Sequence, residues 1–284
     1  MAKRVGFIDY IGDNWHSNKF IEVMRGPLAG RGYDVTCCTE LEKGRSVEWA
    51  KKNGIEYLES AGRMAGRVDY VMVLAPSNPE THLELAKQAF PLGLPTYVDK
   101  TFASDSKMAK AIFRLADRYG VPVITSSALR FDTKVMELVK QVGRENIQSV
   151  QTYGGGGTFA EYGIHPTEQA VSILGPEAEK VIRLRKEPYS EVHIKFSRGR
   201  SATVYCYTHG KPCPYRAIIT TGTHGTQDIE VDVGTIFDNL LSHVFDFFEA
   251  GKENIDRRES LVIRRILDAA EKPEALKGYV SVKQ

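Results

Sequence analysis

Short β-branched apolar runs alternate with helix-length stretches as far as Arg130, and few folds accept that order. Val5 to Ile8, Tyr33 to Cys38, Val68 to Leu74, Pro95 to Val98 and Gly120 to Ile124 read as buried strands. Between them, Phe20 to Leu28, Val47 to Asn53, Pro79 to Phe90 and Asp105 to Tyr119 carry helical spacing. Apolar strands separated by helices of this length predict a parallel sheet covered on both faces, a doubly wound α/β domain. After Arg130 the texture changes. A helix from Thr133 to Val142 leads into a strand, Ser149 to Tyr153, and a glycine run, Gly154 to Gly157. Glu191 to Phe196, Ser201 to Tyr207, Ala217 to Thr221 and Asp228 to Val233 then alternate apolar with polar residues. That period of two predicts an open, mainly antiparallel sheet with one buried face. Helices at Phe237 to Glu249 and Arg257 to Glu271 close an α+β second half. The expected division is 1–128 and 129–284.

Composition narrows the function classes. An apolar share of 42% and a charged share of 26% exclude global disorder. A formal net charge of +2 gives no broad electrostatic reason to bind nucleic acid or an acidic membrane. No apolar run has bilayer-spanning length, and the stretch behind Met1-Ala2-Lys3-Arg4 breaks at Asp9, unlike a signal peptide. Cys37, Cys38, Cys206 and Cys213 are too few and too oddly placed for a disulfide framework, so a cytoplasmic setting is expected.

Ligands of a doubly wound sheet bind outside the carboxyl ends of its strands. The first such end reads Asp9-Tyr10-Ile11-Gly12-Asp13-Asn14-Trp15-His16, with one glycine where a dinucleotide turn has three. An ordinary polar loop and a nucleotide turn both remain open there. Glu40, ending the second strand, is placed either to take the ribose hydroxyls of NAD or to sit solvated. Pro76-Ser77-Asn78 and His82 form a loop of ligand-facing type, and Asp99-Lys100-Thr101 puts a lysine directly behind a buried strand. Partial desolvation of that kind is what lets an ammonium share its proton. Two other patterns are decoys. Cys206, His209 and Cys213 have a zinc-like spacing but only three local ligands, so no metal is expected. Gly154 to Gly157 lacks the lysine and helix start of a phosphate loop.

The ordered set Val68-Asp69-Tyr70-Val71, Pro76-Ser77-Asn78, His82, Ala86, Gly93 and Asp99-Lys100-Thr101-Phe102-Ala103 resembles the Gfo/Idh/MocA oxidoreductase family, which includes glucose-fructose oxidoreductase and inositol dehydrogenase. That family shows a Pro-x-x-x-x-x-His loop and a Glu-Lys-Pro signature at these points. Arg130-Phe131 resembles its domain crossover, Gly155 to Gly175 its Gly-Gly…Asp-x-x-x-His…Gly segment, and Gly251 onward its C-terminal helix and last strand. The resemblance implies an N-terminal Rossmann domain holding NAD or NADP, and a second domain for substrate and homo-oligomerisation as dimer or tetramer. It implies hydride transfer to or from a sugar-like or cyclitol secondary alcohol. Residue by residue, the family lysine falls on Lys100, and its Asp-x-x-x-His on Glu161 and His165. His165 would move the hydroxyl proton, Lys100 would stabilise the reacting oxygen, and Glu161 would orient the imidazole or grip a hydroxyl. The implied cofactor set is Ile8, Gly12, Glu40, Pro76, Ser77, Asn78, His82, Asp99 and Lys100. The substrate set is Trp15, His16, Arg130, Glu161 and His165. This chain departs from the pattern in its glycine-poor first turn, in Thr101 for proline, in Glu161 for aspartate, and in a short second domain. Two alternatives stay open: a Rossmann-derived binding protein without redox turnover, and a lyase or glycosidase that uses NAD transiently.

Overall fold

The computed structural model describes residues 3–282. The N-terminal part runs β1 (Lys3–Asp9), α1 (Trp15–Arg25), β2 (Tyr33–Glu40), α2 (Val47–Lys52), β3 (Glu56–Tyr57), β4 (Tyr70–Val73), α3 (His82–Ala89), β5 (Thr96–Asp99), α4 (Ser106–Tyr119) and β6 (Val123–Ser126). Its six strands are parallel, in the order β3-β2-β1-β4-β5-β6. Local chemistry fixes the helices between them. Asp105 caps α4 by accepting from the Met108 N–H at 2.7 Å, and Gly120, at φ 64°, ends it. The face between carries Ala109, Ile112, Phe113 and Ala116, all buried. Gly6 lets β1 approach its cover, since a Cβ there would lie 2.8 Å from Met64 Sδ.

The later elements are α5 (Thr133–Val142), β7 (Ile147–Gly155), α6 (Phe159–Tyr162), α7 (Ile164–Leu174), β8 (Ala178–Arg185), β9 (Tyr189–Phe196), β10 (Ser201–Tyr207), β11 (Arg216–Thr221), β12 (Gly225–Glu230), α8 (Ile236–Ala250), α9 (Arg257–Glu271) and β13 (Val280–Ser281). Seven strands form a sheet ordered β12-β11-β7-β10-β9-β8-β13, antiparallel except for the β7–β10 pair. Val150, Val192, Ile194, Val204 and Ile219 point from one face into a core with Val171 and Leu174 of α7 and Ile263 and Ile266 of α9. The other face carries tyrosines, with Tyr153 stacked on Tyr205 at 4.5 Å.

Three features differ from the sequence reading. β8 was not anticipated, because Arg183 occupies a buried position of the strand and masks its alternation. The guanidinium lies 4.2 Å over the Phe159 ring and pairs with Glu271 at 2.5 Å. β12 spans Gly225–Glu230 in place of Asp228 to Val233, since Val231 to Thr235 turn back through bonds onto Asp232. The chain is also not divided by one cut at 128. One compact unit contains the residues up to Ser126 together with Leu240–Asp256, and the other contains Ser127–Asn239 with the residues from Arg257 on. Aromatic packing explains the return of 240–256: Tyr33 stacks on Phe245 at 3.9 Å, and Tyr70 stacks on Phe248 at 4.6 Å.

Candidate active site

The first sheet changes winding direction between β1 and β4, so its crevice lies at the carboxyl ends of those strands and of β5. β1 delivers Asp9, whose buried carboxylate accepts from the backbone N–H of Tyr10 (2.7 Å) and Ala75 (2.9 Å) and from Asn14 Nδ2 (2.8 Å). Asn14 in turn caps α1: its Oδ1 accepts from Ser17 N, and Ser17 Oγ accepts from Asn14 N. Glu40 does not face a ligand. It is 2% exposed, and it accepts from Gly12 N (2.9 Å), Ser46 Oγ (2.6 Å) and Ser46 N (2.9 Å). Gly12 itself answers a packing need, because a Cβ would meet Ser46 Cβ and the Trp49 ring at 3.3 Å. Ile8 is fully buried beneath the turn. Glu40, Gly12 and Ile8, expected at the cofactor, thus build the turn from inside.

Burial pushes the Asp9 carboxyl up to about 7, against the lowering effect of its three donors. A folded-state value raised above the ordinary one near 4 gives stability that is complete at low pH. That stability is lost as pH climbs through about 7. Wild type should therefore lose roughly 2 kcal/mol between pH 5 and pH 8 from this group, and Asp9→Asn should flatten that decline. Thermal melts of both proteins at the two pH values measure it, and parallel declines would refute it.

The end of β5 carries Asp99 and, directly after it, Lys100. Trp15, 60% exposed, opens α1, and beside it His16 Nδ1 lies 2.6 Å from Asp99 Oδ2. Tyr97 Oη donates to the other Asp99 oxygen at 3.0 Å. Burial alone would raise the Asp99 carboxyl, but the His16 imidazole and the Lys100 ammonium hold it below its usual range. Lys100 is 8% exposed, and its Nζ donates to Pro76 O at 3.1 Å. Although Thr101 replaces proline, the Lys100–Thr101 peptide is cis. His82 is fully buried, with Nδ1 3.0 Å from Phe102 O and Nε2 3.2 Å from Ala75 O. It ties the 75–78 loop to the segment after β5 and does not line the crevice. Ser77 is exposed, and Pro76 and Asn78 are partly so.

In the second unit, His165 sits in the first turn of α7. Its Nδ1 is 2.7 Å from Ser127 Oγ, and the rings of Tyr162 and Tyr215 flank it at 5.8 and 6.4 Å. Ser127 was not anticipated, because 38 residues separate it from its partner and nothing local marks it. Glu161 lies in the separate helix α6, with Gly163 between the two helices, so one continuous helical face does not carry both residues. Arg130 is buried. Its guanidinium bonds to Glu259 and lies 3.7 Å from Glu168. Glu168 also accepts from the Ser127 N–H at 2.9 Å. Arg130 is a buried counter-ion in place of the substrate contact expected of it.

Among the described residues, no cluster of three or more His, Cys, Asp or Glu could hold a metal ion, and no helix is long and apolar enough to cross a membrane. Burial pushes the Cys38 and Cys206 thiols up to about 12, which suits inert filling.

Residues 11–127 match the family described as the oxidoreductase family with an NAD-binding Rossmann fold. The rhizopine catabolism protein MocA of Rhizobium meliloti is 28% identical over 143 residues, a match spanning 44% of this chain and 44% of that protein. Whole-chain similarity comes from solved structures. GenD2 from gentamicin A biosynthesis, in complex with NAD, superposes with a TM-score of 0.81 at 16% identity, covering 99% of this chain and 97% of that one. A probable dehydrogenase from Thermotoga maritima gives 0.81 at 15%, covering 99% of each. A putative myo-inositol dehydrogenase from Sinorhizobium meliloti gives 0.78 at 15%, covering 99% and 100%. The sheet order, the crevice and the sequence match define an NAD-binding Rossmann-fold domain of oxidoreductase type. Over that domain, residues 11–127, the chain matches the Gfo/Idh/MocA oxidoreductase family.

The donor set fits a dinucleotide unevenly. Lys100 and the capped start of α1 offer positive character of the kind a pyrophosphate needs. At the end of β2 the fit is different, because the Glu40 carboxylate is committed to Gly12 and Ser46.

Proposed function

We propose that this protein is an NAD(P)-dependent dehydrogenase of a sugar-like or cyclitol secondary alcohol, acting in the cytoplasm as a homo-oligomer. The observation that carries the reading is Lys100, a nearly buried ammonium at the carboxyl end of β5 in a domain of this family. A bound nicotinamide would accept or return hydride at the alcohol carbon. Lys100 would donate a hydrogen bond to the reacting oxygen and stabilise its partial negative charge. His165 Nε2 would take the hydroxyl proton, Nδ1 being engaged by Ser127. Trp15, the most exposed aromatic side chain, and Ser77 would supply ligand contacts. The tyrosine-bearing face of the second sheet supports self-association.

Titration with NADH and NADPH tests the cofactor part directly. Trp15 at the start of α1 should act as an energy donor to bound NADH, so tryptophan emission should fall saturably. Trp15→Phe should reduce the quench without abolishing it, since Trp49, the other tryptophan, packs against Gly12 of the same turn. No binding of either cofactor at millimolar concentration would favour the binding-protein reading. Conversion of a polyol glycoside without net NADH would point to the lyase or glycosidase reading. NADH production from a polyol panel supports the dehydrogenase.

A further inference from the structure

We propose that Ser127 is the positioning residue of the candidate acid/base, holding His165 as the Nδ1–H tautomer with Nε2 presented for proton exchange; this rests on the role of His165 given above. The geometry is local to the second unit. Ser127 Oγ lies 2.7 Å from His165 Nδ1, and Ser127 is fully buried while His165 is half-buried. The serine is fixed in turn, since its N–H donates to Glu168 Oε2 at 2.9 Å, one turn along α7 from His165. Glu168 is steadied by Arg130, and Arg130 by Glu259, which also accepts from Arg144 at 2.7 Å. Thr152 Oγ1 anchors the first turn of α7 by donating to Pro166 O at 2.8 Å. The Tyr215 hydroxyl, bonded to Gly155 O at 3.2 Å, locks one of the rings flanking the imidazole.

The direction of the bond follows from what a base must do. If Ser127 donated to Nδ1, the neutral ring would carry its proton on Nε2 and offer no lone pair outward. If Nδ1–H donates to Oγ, the neutral ring presents a lone pair at Nε2. The same Nδ1–H bond then survives unchanged when Nε2 takes the substrate proton. One hydrogen bond serves both protonation states without rearrangement. A hydroxyl partner also adds no charge, so it fixes orientation while stabilising the imidazolium less than a carboxylate partner would.

Long-range proton–nitrogen correlation spectra of 15N-histidine-labelled full-length protein test the tautomer without any substrate, with His165→Gln identifying the resonance. Above the imidazole titration, wild type and Ser127→Thr should show protonated Nδ1, whereas Ser127→Ala should revert to protonated Nε2, the form free imidazole prefers. With a substrate in hand, Ser127→Ala should lower kcat about tenfold or more and leave NADH affinity unchanged, and Ser127→Thr should recover most of the loss. Protonated Nε2 in wild type, or the same tautomer in wild type and Ser127→Ala, overturns the proposal. Unchanged kcat in Ser127→Ala overturns it equally. If no polyol is turned over, the functional reading fails, and the spectra still decide the role of Ser127.

Discussion

Lys100→Met should cut kcat by about 10²- to 10³-fold while NADH affinity stays within a few-fold of wild type. The argument begins with burial. The Lys100 stem is packed, with 8% of the residue exposed, and methionine preserves most of that volume while deleting the ammonium. A hydrogen-bond donor aimed at charge that develops in the transition state stabilises it by roughly 3–4 kcal/mol, more than it stabilises the ground state. The loss should therefore fall on kcat, with little change in KM. Lys100→Arg should not rescue fully, because a planar guanidinium cannot occupy the point from which Nζ reaches Pro76 O at 3.1 Å. Lys100→Met takes one neighbouring cation from the buried Asp99 carboxylate, which keeps His16 at 2.6 Å, so folding should be little affected. Steady-state kinetics with thermal melts and NADH titrations of the same preparations measure all of this. A kcat loss below tenfold, with folding intact, would remove Lys100 from the chemistry.

How much of this was legible in the sequence depends on the range of the interaction. The parallel half could be read because β1, β2, β4, β5 and β6 are near-continuous apolar runs, a purely local signal. Lys100 could be read for the same reason, as a charge directly following such a run. The fate of Glu40 could not, because its partners Gly12 and Ser46 are chosen by tertiary geometry and a surface glutamate has the same one-letter appearance. Ser127 and Glu168 belong to the same class. Buried arginines were the most misleading feature. Arg183 hid a strand, and Arg130 looked like a ligand contact, since sequence patterning scores arginine as surface.

Arg130 carries the largest expected effect on stability. Its guanidinium lies between Glu168 and Glu259, and all three side chains are at least nine-tenths buried. Glu259 has a second partner in Arg144, whose side chain is 43% exposed, whereas Glu168 also accepts from the Ser127 N–H. Removing one member of a buried charge group leaves its partners desolvated and uncompensated, which costs about 3–5 kcal/mol. Arg130→Met should accordingly lower the Tm of the second unit by about 10 °C or more, with NADH affinity, a property of the first unit, unchanged. Adding Glu168→Gln to Arg130→Met should recover part of the loss, since a buried carboxylate that faced Arg130 is then neutralised, whereas Glu259 keeps Arg144. The non-additivity of that cycle measures the coupling. The reading of Arg130 as a substrate contact makes the opposite forecast: a raised KM, an unmoved Tm and no recovery in the double variant. The two outcomes separate a residue that holds the fold beneath Ser127 and His165 from one that touches the ligand.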